Sequence, residues 1–168
     1  MISGGFKAAW DRLSPRYAAR EGIQINTVAG PSIGKTPQAI PARLARGEHS
    51  DLVIMVGDAL GNLEKQGRTL PGSRVELADS RIGAVVKQGA TPVAIDSEST
   101  LRATLQYTTR FAGAVIRQSA QPDEASQLLR WLASPEVQKV VRETGLHPIG
   151  QTQPAGATQP IRQRDTVQ

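Results

Sequence analysis

The sequence predicts an α/β domain: a three-layer arrangement in which a mostly parallel sheet carries helices on both faces. Three observations predict it. Segments with a helical apolar period alternate with short β-branched runs along residues 5–143. One of those runs, DLVIMV at 51–56, is apolar throughout, as a strand covered on both faces must be. Glycine-bearing loops follow the runs and open the helices, and an α/β sheet gathers its ligands at such loops.

The first helix is read over residues 5–21, where Phe6, Ala9, Trp10, Leu13 and Tyr17 share one face, Pro15 marks a local kink and Gly22 supplies the stop. Residues 23–28 (IQINTV) alternate apolar and polar side chains and read as a strand. AGPSIGKT, 29–36, is then a strand-to-helix loop. The helix after it, 36–46, turns Ala39, Ile40, Leu44 and Ala45 inward, with Pro37 and Pro41 restricting where its first regular turn begins. After the strand at 51–56, Gly57 and Asp58 turn the chain into a short helix at 59–66. Residues 68–74 carry Pro71 and Gly72 and read as a loop, and 81–87 (RIGAVVK) as the next strand. A short helix at 99–105, a strand at 108–117 and helices at 123–133 and 135–143 follow, with Gly145 and Pro148 ending the pattern. Trp10 and Trp131 fall among apolar neighbours at packing spacing. Residues 1–150 therefore read as one lobe, and 151–168, which have almost nothing to bury, as a disordered tail.

Composition narrows the chemistry. The chain has no cysteine, so disulfides, thiolate metal sites and cysteine nucleophiles are excluded. His49 and His147 lie far apart with no second ligand at helical spacing, which argues for solvated loop residues and against a metal. A net charge of +5 favours anionic partners, but the basic residues are scattered and aromatics make up only 4%, so neither a basic stripe nor stacking platforms for nucleic acid are present. No apolar run reaches the roughly 18 residues that span a bilayer, and MISGGFKAAW lacks the features of a secretory signal, so the chain as written is expected to stay inside the cell.

AGPSIGKT has the Gly-Lys-Thr of a phosphate-binding loop. Ala29 stands where the first glycine belongs, and Pro37 and Pro41 disturb the helix whose N–H groups would wrap the phosphates. A weaker but broader signal lies in three loops after strands: Ser3-Gly4-Gly5, Gly30 to Gly34, and Gly57-Asp58. Each sets small or hydroxyl residues just before a helix, where free N–H groups and the helix dipole favour an anion. No nucleophile and base are evident as a pair, so binding is expected rather than catalysis, with no cofactor.

SGGFKAAW, TVAGPSIGKTPQAIPARLARGEHSDLVIMVGDALGNLEKQG, LPGSRVELADSRIGAVVKQGATP and FAGAVIRQSAQPDEASQLLRWLASPEVQKVVRETGLHP together resemble the molybdate-type substrate-binding proteins of ABC transporters, of the type 2 periplasmic binding fold. The resemblance covers about residues 3–148. It implies a small oxyanion, molybdate or tungstate for example, held between two lobes by backbone N–H groups and hydroxyls, and delivery to a membrane permease from the periplasm. Carried onto this sequence, the contacts fall at Ser3, Gly4, Gly5 and Phe6, and at Ser32 with Ile33 and Gly34. Gly57 joins them from the third loop. The serine usual in molybdate binders matches Gly5, which leaves the identity of the anion open. A larger departure comes at Leu105-Gln106, where the family continues into a second lobe that this chain does not carry; residues 1–105 and 106–150 then flank the gap. The readings that remain are an anion-binding lobe, a structural or self-associating remnant without ligand, and a phosphate-loop nucleotide binder.

Overall fold

The computed structural model describes residues 1–80 and 109–149. Strand β1 (Ile2–Ser3) runs through a single 3-10 turn (Gly4–Phe6) into helix α1 (Lys7–Glu21). Then come β2 (Ala29–Gly30), α2 (Ile40–Ala45), β3 (Leu52–Val56), α3 (Gly57–Lys65) and β4 (Val75–Ser80). Strand β5 (Thr109–Val115) and helices α4 (Pro122–Leu132) and α5 (Pro135–Glu143) complete the described elements. The predicted strand at 81–87, the helix at 99–105, the junction at 105/106 and the tail from 151 lie outside the described residues.

The described strands form one sheet in the order β2-β1-β3-β5-β4. LVIMV is its middle strand, and its side chains alternate as a doubly covered strand requires. Leu52 and Ile54 enter a core shared with Trp10 and Leu13 of α1, Leu129 of α4 and Val141 of α5. Val53 and Met55 enter a second core with Ile40 and Leu44 of α2 and Leu60 and Leu63 of α3. Helices therefore cover both faces, as the α/β class predicts. Each fully buried aliphatic side chain of this kind contributes about 1.5–3 kcal/mol, so β3 is the strand around which both layers close.

The sheet is mostly parallel, as expected, and mixed only through β5: four of its five described strands run the same way. Strand β1 is parallel to β2 and β3, whereas β5 runs antiparallel to both β3 and β4. The chain leaves β4 at Ser80 and re-enters the sheet at Thr109, its partner across the ladder, so β5 starts at the end where β4 stops and must run back.

Two local expectations change. Residues 23–28 form no strand. A strand exists only where a neighbour supplies a ladder, and β1 reaches this segment through a single bond, from the Ile2 N–H to the Val28 carbonyl (2.8 Å), before the two residues of β2. Strand β4 was not legible, because a bulge between Glu76 and Ala78 breaks the period of two and brings consecutive Leu77 and Ala78 inward. His147 then pairs with Asp79 through both backbone bonds (2.7 and 2.8 Å) and closes the outer edge of β4. Helix α1 continues through Pro15 because its buried stripe of Ala9, Trp10, Leu13 and Tyr17 holds it, and Gly22 ends it in the left-handed region at φ 66°.

Candidate functional site

Strands β2, β1 and β3 are neighbours and parallel, so their carboxyl ends lie side by side, and the three loops singled out in the sequence leave from those ends. Ser3 occupies the capping position of the turn that leads into α1. Its backbone is extended (φ −74°, ψ 142°) and its side chain makes no capping bond. The residue is 6% exposed. The first-turn N–H groups, which a capping serine normally occupies, find no side-chain partner among the described residues. Gly4 and Gly5 are exposed, whereas the Phe6 side chain is buried in the core, so Phe6 can contribute only through its backbone.

Gly5 has no space for a side chain. A Cβ there would lie 2.5 Å from Cζ of Phe111, whose ring packs at 6.2 Å from that of Phe6. The space a side chain at Gly5 would need is thus filled by an aromatic ring from β5, and Gly4 and Gly5 offer main-chain donors only.

The second loop is anchored at both ends and open in the middle. The Ile40 N–H bonds the Pro31 carbonyl (2.9 Å), and the Ser32 hydroxyl, 5% exposed, accepts the Val56 N–H at 2.9 Å. Since β1 lies between β2 and β3, this bond carries the loop across the end of β1 and ties the second loop to the third. Ile33 is 69% exposed, and Gly34 adopts φ 117°, a region that favours glycine. Lys35 is exposed in the same stretch. Helix α2 starts only at Ile40, with a proline in its first positions, so no helix opens at Lys35-Thr36 to wrap a phosphate. The geometry withholds what a nucleotide-binding phosphate loop requires.

Gly57 is the first residue of α3 and is buried; Asp58 is exposed in the first turn. Against Gly57 lies Arg74, which sequence reading passed over as part of a loop. Its Nη1 donates to the Gly57 carbonyl (3.2 Å) and to Glu64 (2.9 Å), and its Nε to Glu76 (2.6 Å). Burial works against the guanidinium charge, but the hydrogen bonds to Glu76 and Glu64 outweigh it and the pKa is raised. At the start of β5, Arg110 is raised too, chiefly by its paired hydrogen bonds to Asp79 (2.8 and 3.1 Å). Both arginines are thus matched by carboxylates.

The structure brings Ser3, Gly4, Gly5, Ser32 and Gly57 to one end of the sheet; Ile33 and Gly34 form the projecting part of the loop. Among the described residues this end carries no facing wall. A cleft of about 610 Å³ opens at the opposite end, between residues 23–28, Trp10, Asp51 and Leu128, and one of about 140 Å³ beside His49 and Arg68. Neither touches the three loops. Trp10 is core, with its Nε1 donating to Thr27 (2.9 Å), and the Trp131 ring is tilted against that of Tyr17 of α1 with centroids 5.1 Å apart. Trp10 lines the cleft at the opposite end and Trp131 packs on α1, so intrinsic fluorescence should stay constant during anion titration; a large quench would show that an indole contacts the ligand.

The sequence model of a family described as bacterial extracellular solute-binding proteins matches residues 1–106. A protein named aconitate isomerase, from a Pseudomonas species, is 41% identical over 106 residues, which are 63% of this chain and 40% of the relative's length. The chain thus spans less than half of that relative. Among solved structures, the substrate-binding domain described for a molybdenum ABC transporter from Clostridium difficile superposes with a TM-score of 0.65 at 11% identity, covering 88% of this chain and 96% of the other. The periplasmic molybdate-binding protein of Azotobacter vinelandii gives a TM-score of 0.65 at 14% identity, covering 86% and 96%. At such identities the two structures establish a shared fold.

Proposed function

We propose that this chain, which belongs to the bacterial extracellular solute-binding proteins, is an anion-receiving lobe of that family that binds a small oxyanion without transforming it. The observation that carries this reading is Ser3: a buried serine at a capping position that does not cap, beside exposed Gly4 and Gly5 whose first-turn N–H groups have no side-chain partner among the described residues. A bound anion would supply the missing acceptor. Ser32, Ile33 and Gly34 face it from the second loop, and Gly57 from the third. Such a lobe works in the periplasm and hands its ligand to a membrane permease.

A second ligand class is favoured by the relative named for aconitate, a tricarboxylate. Carboxylate oxygens are accepted by the same backbone donors as those of molybdate or sulfate. Three charge-assisted bonds open to water contribute at most about 9 kcal/mol and association takes back at least about 4 kcal/mol, which leaves a Kd no tighter than about 0.1 mM.

Calorimetric titration of the purified chain with molybdate, tungstate, sulfate, phosphate and aconitate is expected to give that weak range for at least one of them. Micromolar binding by the monomer would contradict that range. No binding at all, together with a dimer in sedimentation, would favour the self-associating remnant, and ATP binding lost in Lys35→Ala would favour the phosphate loop. Incubation with aconitate, followed by proton NMR, should leave the substrate unchanged; turnover would replace the binding reading by an isomerase one.

A further inference from the structure

Gly57, Gly61 and Glu64 recur at helical spacing and share one face of α3. The guanidinium of Arg74 lies along that face. A Cβ on Gly57 would stand 3.0 Å from its Nη2, and one on Gly61 would stand 3.9 Å from its Nη1, so the two glycines leave a slot of bare backbone that the arginine occupies. Glu64 closes the slot at one end (2.9 Å) and Glu76 of β4 holds the Nε from the sheet (2.6 Å). A cation near the start of a helix stands at the unfavourable pole of its dipole, so dipole stabilisation does not explain this placement. What the placement does provide is a grip on the first peptide of α3.

We propose that Arg74 is a positioning residue of the anion site, acting through the Gly57–Asp58 peptide. This rests on the anion-binding reading of the three loops. In a trans peptide the carbonyl and the following N–H point in opposite directions. The bond from Arg74 Nη1 to the Gly57 carbonyl (3.2 Å) therefore fixes the direction of the Asp58 N–H, a first-turn donor without a partner among the described residues. The preceding Val56 N–H is already taken by Ser32, and no side chain caps α3. The turn is thus held from two sides, by a hydroxyl from the β2 loop and by a guanidinium from the start of β4. Lysine cannot reproduce the fork that reaches Gly57, Glu64 and Glu76 together.

The test compares Arg74→Lys, Arg74→Met and Gly57→Ala with the parent chain, by amide NMR and by titration with molybdate and with aconitate. The Asp58 amide resonance is expected to move in all three variants. Affinity for whichever anion the parent binds should fall on the order of tenfold in Arg74→Lys as well as in Arg74→Met, the equivalent of one well-aligned donor. Full affinity in Arg74→Lys would reduce the role to charge and overturn the proposal, as would an unmoved Asp58 amide. If the parent binds neither anion, the functional reading fails by itself, and the Asp58 resonance still decides whether Arg74 orients this peptide. Gly57→Ala displaces the guanidinium while keeping both carboxylate pairs within reach, which covers the case in which Arg74→Met does not fold.

Discussion

Ser32→Ala should lower the stability of the chain by about 1–3 kcal/mol and weaken anion binding by roughly tenfold or more, because one hydroxyl serves both. Ser32 is almost fully buried, and its Oγ is the acceptor for the Val56 N–H at 2.9 Å. Alanine leaves that partly buried amide without its partner at the end of the central strand. The loop from Pro31 to Ala39 also loses its only side-chain tie to β3 among the described residues, so the donors it carries no longer face those of the first turn. The hydroxyl accepts from Val56 and keeps its own proton to donate, which is how it can hold the fold and a ligand at once. Urea unfolding measures the first effect and calorimetry the second. Ser32→Thr keeps the hydroxyl and should recover most of the stability. Unchanged stability in Ser32→Ala would mean that water replaces the hydroxyl at no cost, and the buried anchor would have no standing.

Gly5→Ser is expected to destabilise by about 1–3 kcal/mol, and the added hydroxyl should not strengthen oxyanion binding. The new Cβ would come within 2.5 Å of the Phe111 ring edge. That ring is 4% exposed and packs in the main core with Phe6, so it cannot swing into solvent to make room. Relief has to come from the backbone of the first turn, and moving that turn disperses the donors the serine was meant to join. Phe111→Leu shortens the side chain where the clash occurs. The double variant should therefore be less destabilised than the sum of the two single variants, by about 0.5 kcal/mol or more in a double-mutant cycle. Simple additivity would show that the ring and the turn are not in contact.

The parts of this protein that sequence pattern made legible are those with a strong one-dimensional period. The stripe through Phe6, Trp10, Leu13 and Tyr17 became α1, DLVIMV became the middle strand, and the leucines and valines of 122–143 became α4 and α5. Residues 23–28 carry an equally clear alternation and still form no strand, because alternation describes a side-chain pattern and a strand also needs a neighbouring backbone. VELADS escaped notice for the opposite reason. Its charges are neutralised, Glu76 by Arg74 two residues before it and Asp79 by Arg110 from across the ladder, which no local window connects, and its bulge conceals the period. Among the site residues, the glycines and serines of the three loops stood out because small residues before a helix are visible in order along the chain. Arg74 and Phe111 did not, since each acts on a glycine distant in sequence.

By itself the sequence determined the α/β class, the burial of the central strand on both faces, and the placement of three glycine-bearing loops after strands. These follow from apolar periodicity and glycine position, which are properties of short segments. Only the tertiary structure decided that β5 runs back between β3 and β4, that the three loops share one end of the sheet, that Ser32 is spent partly on Val56, and that a phenyl ring takes the place of a side chain at Gly5. The physical reason is that each of these is a choice of partner. A hydrogen bond or a van der Waals clash between residues dozens of positions apart depends on where the chain returns, and that is set by the packing of two cores against one sheet.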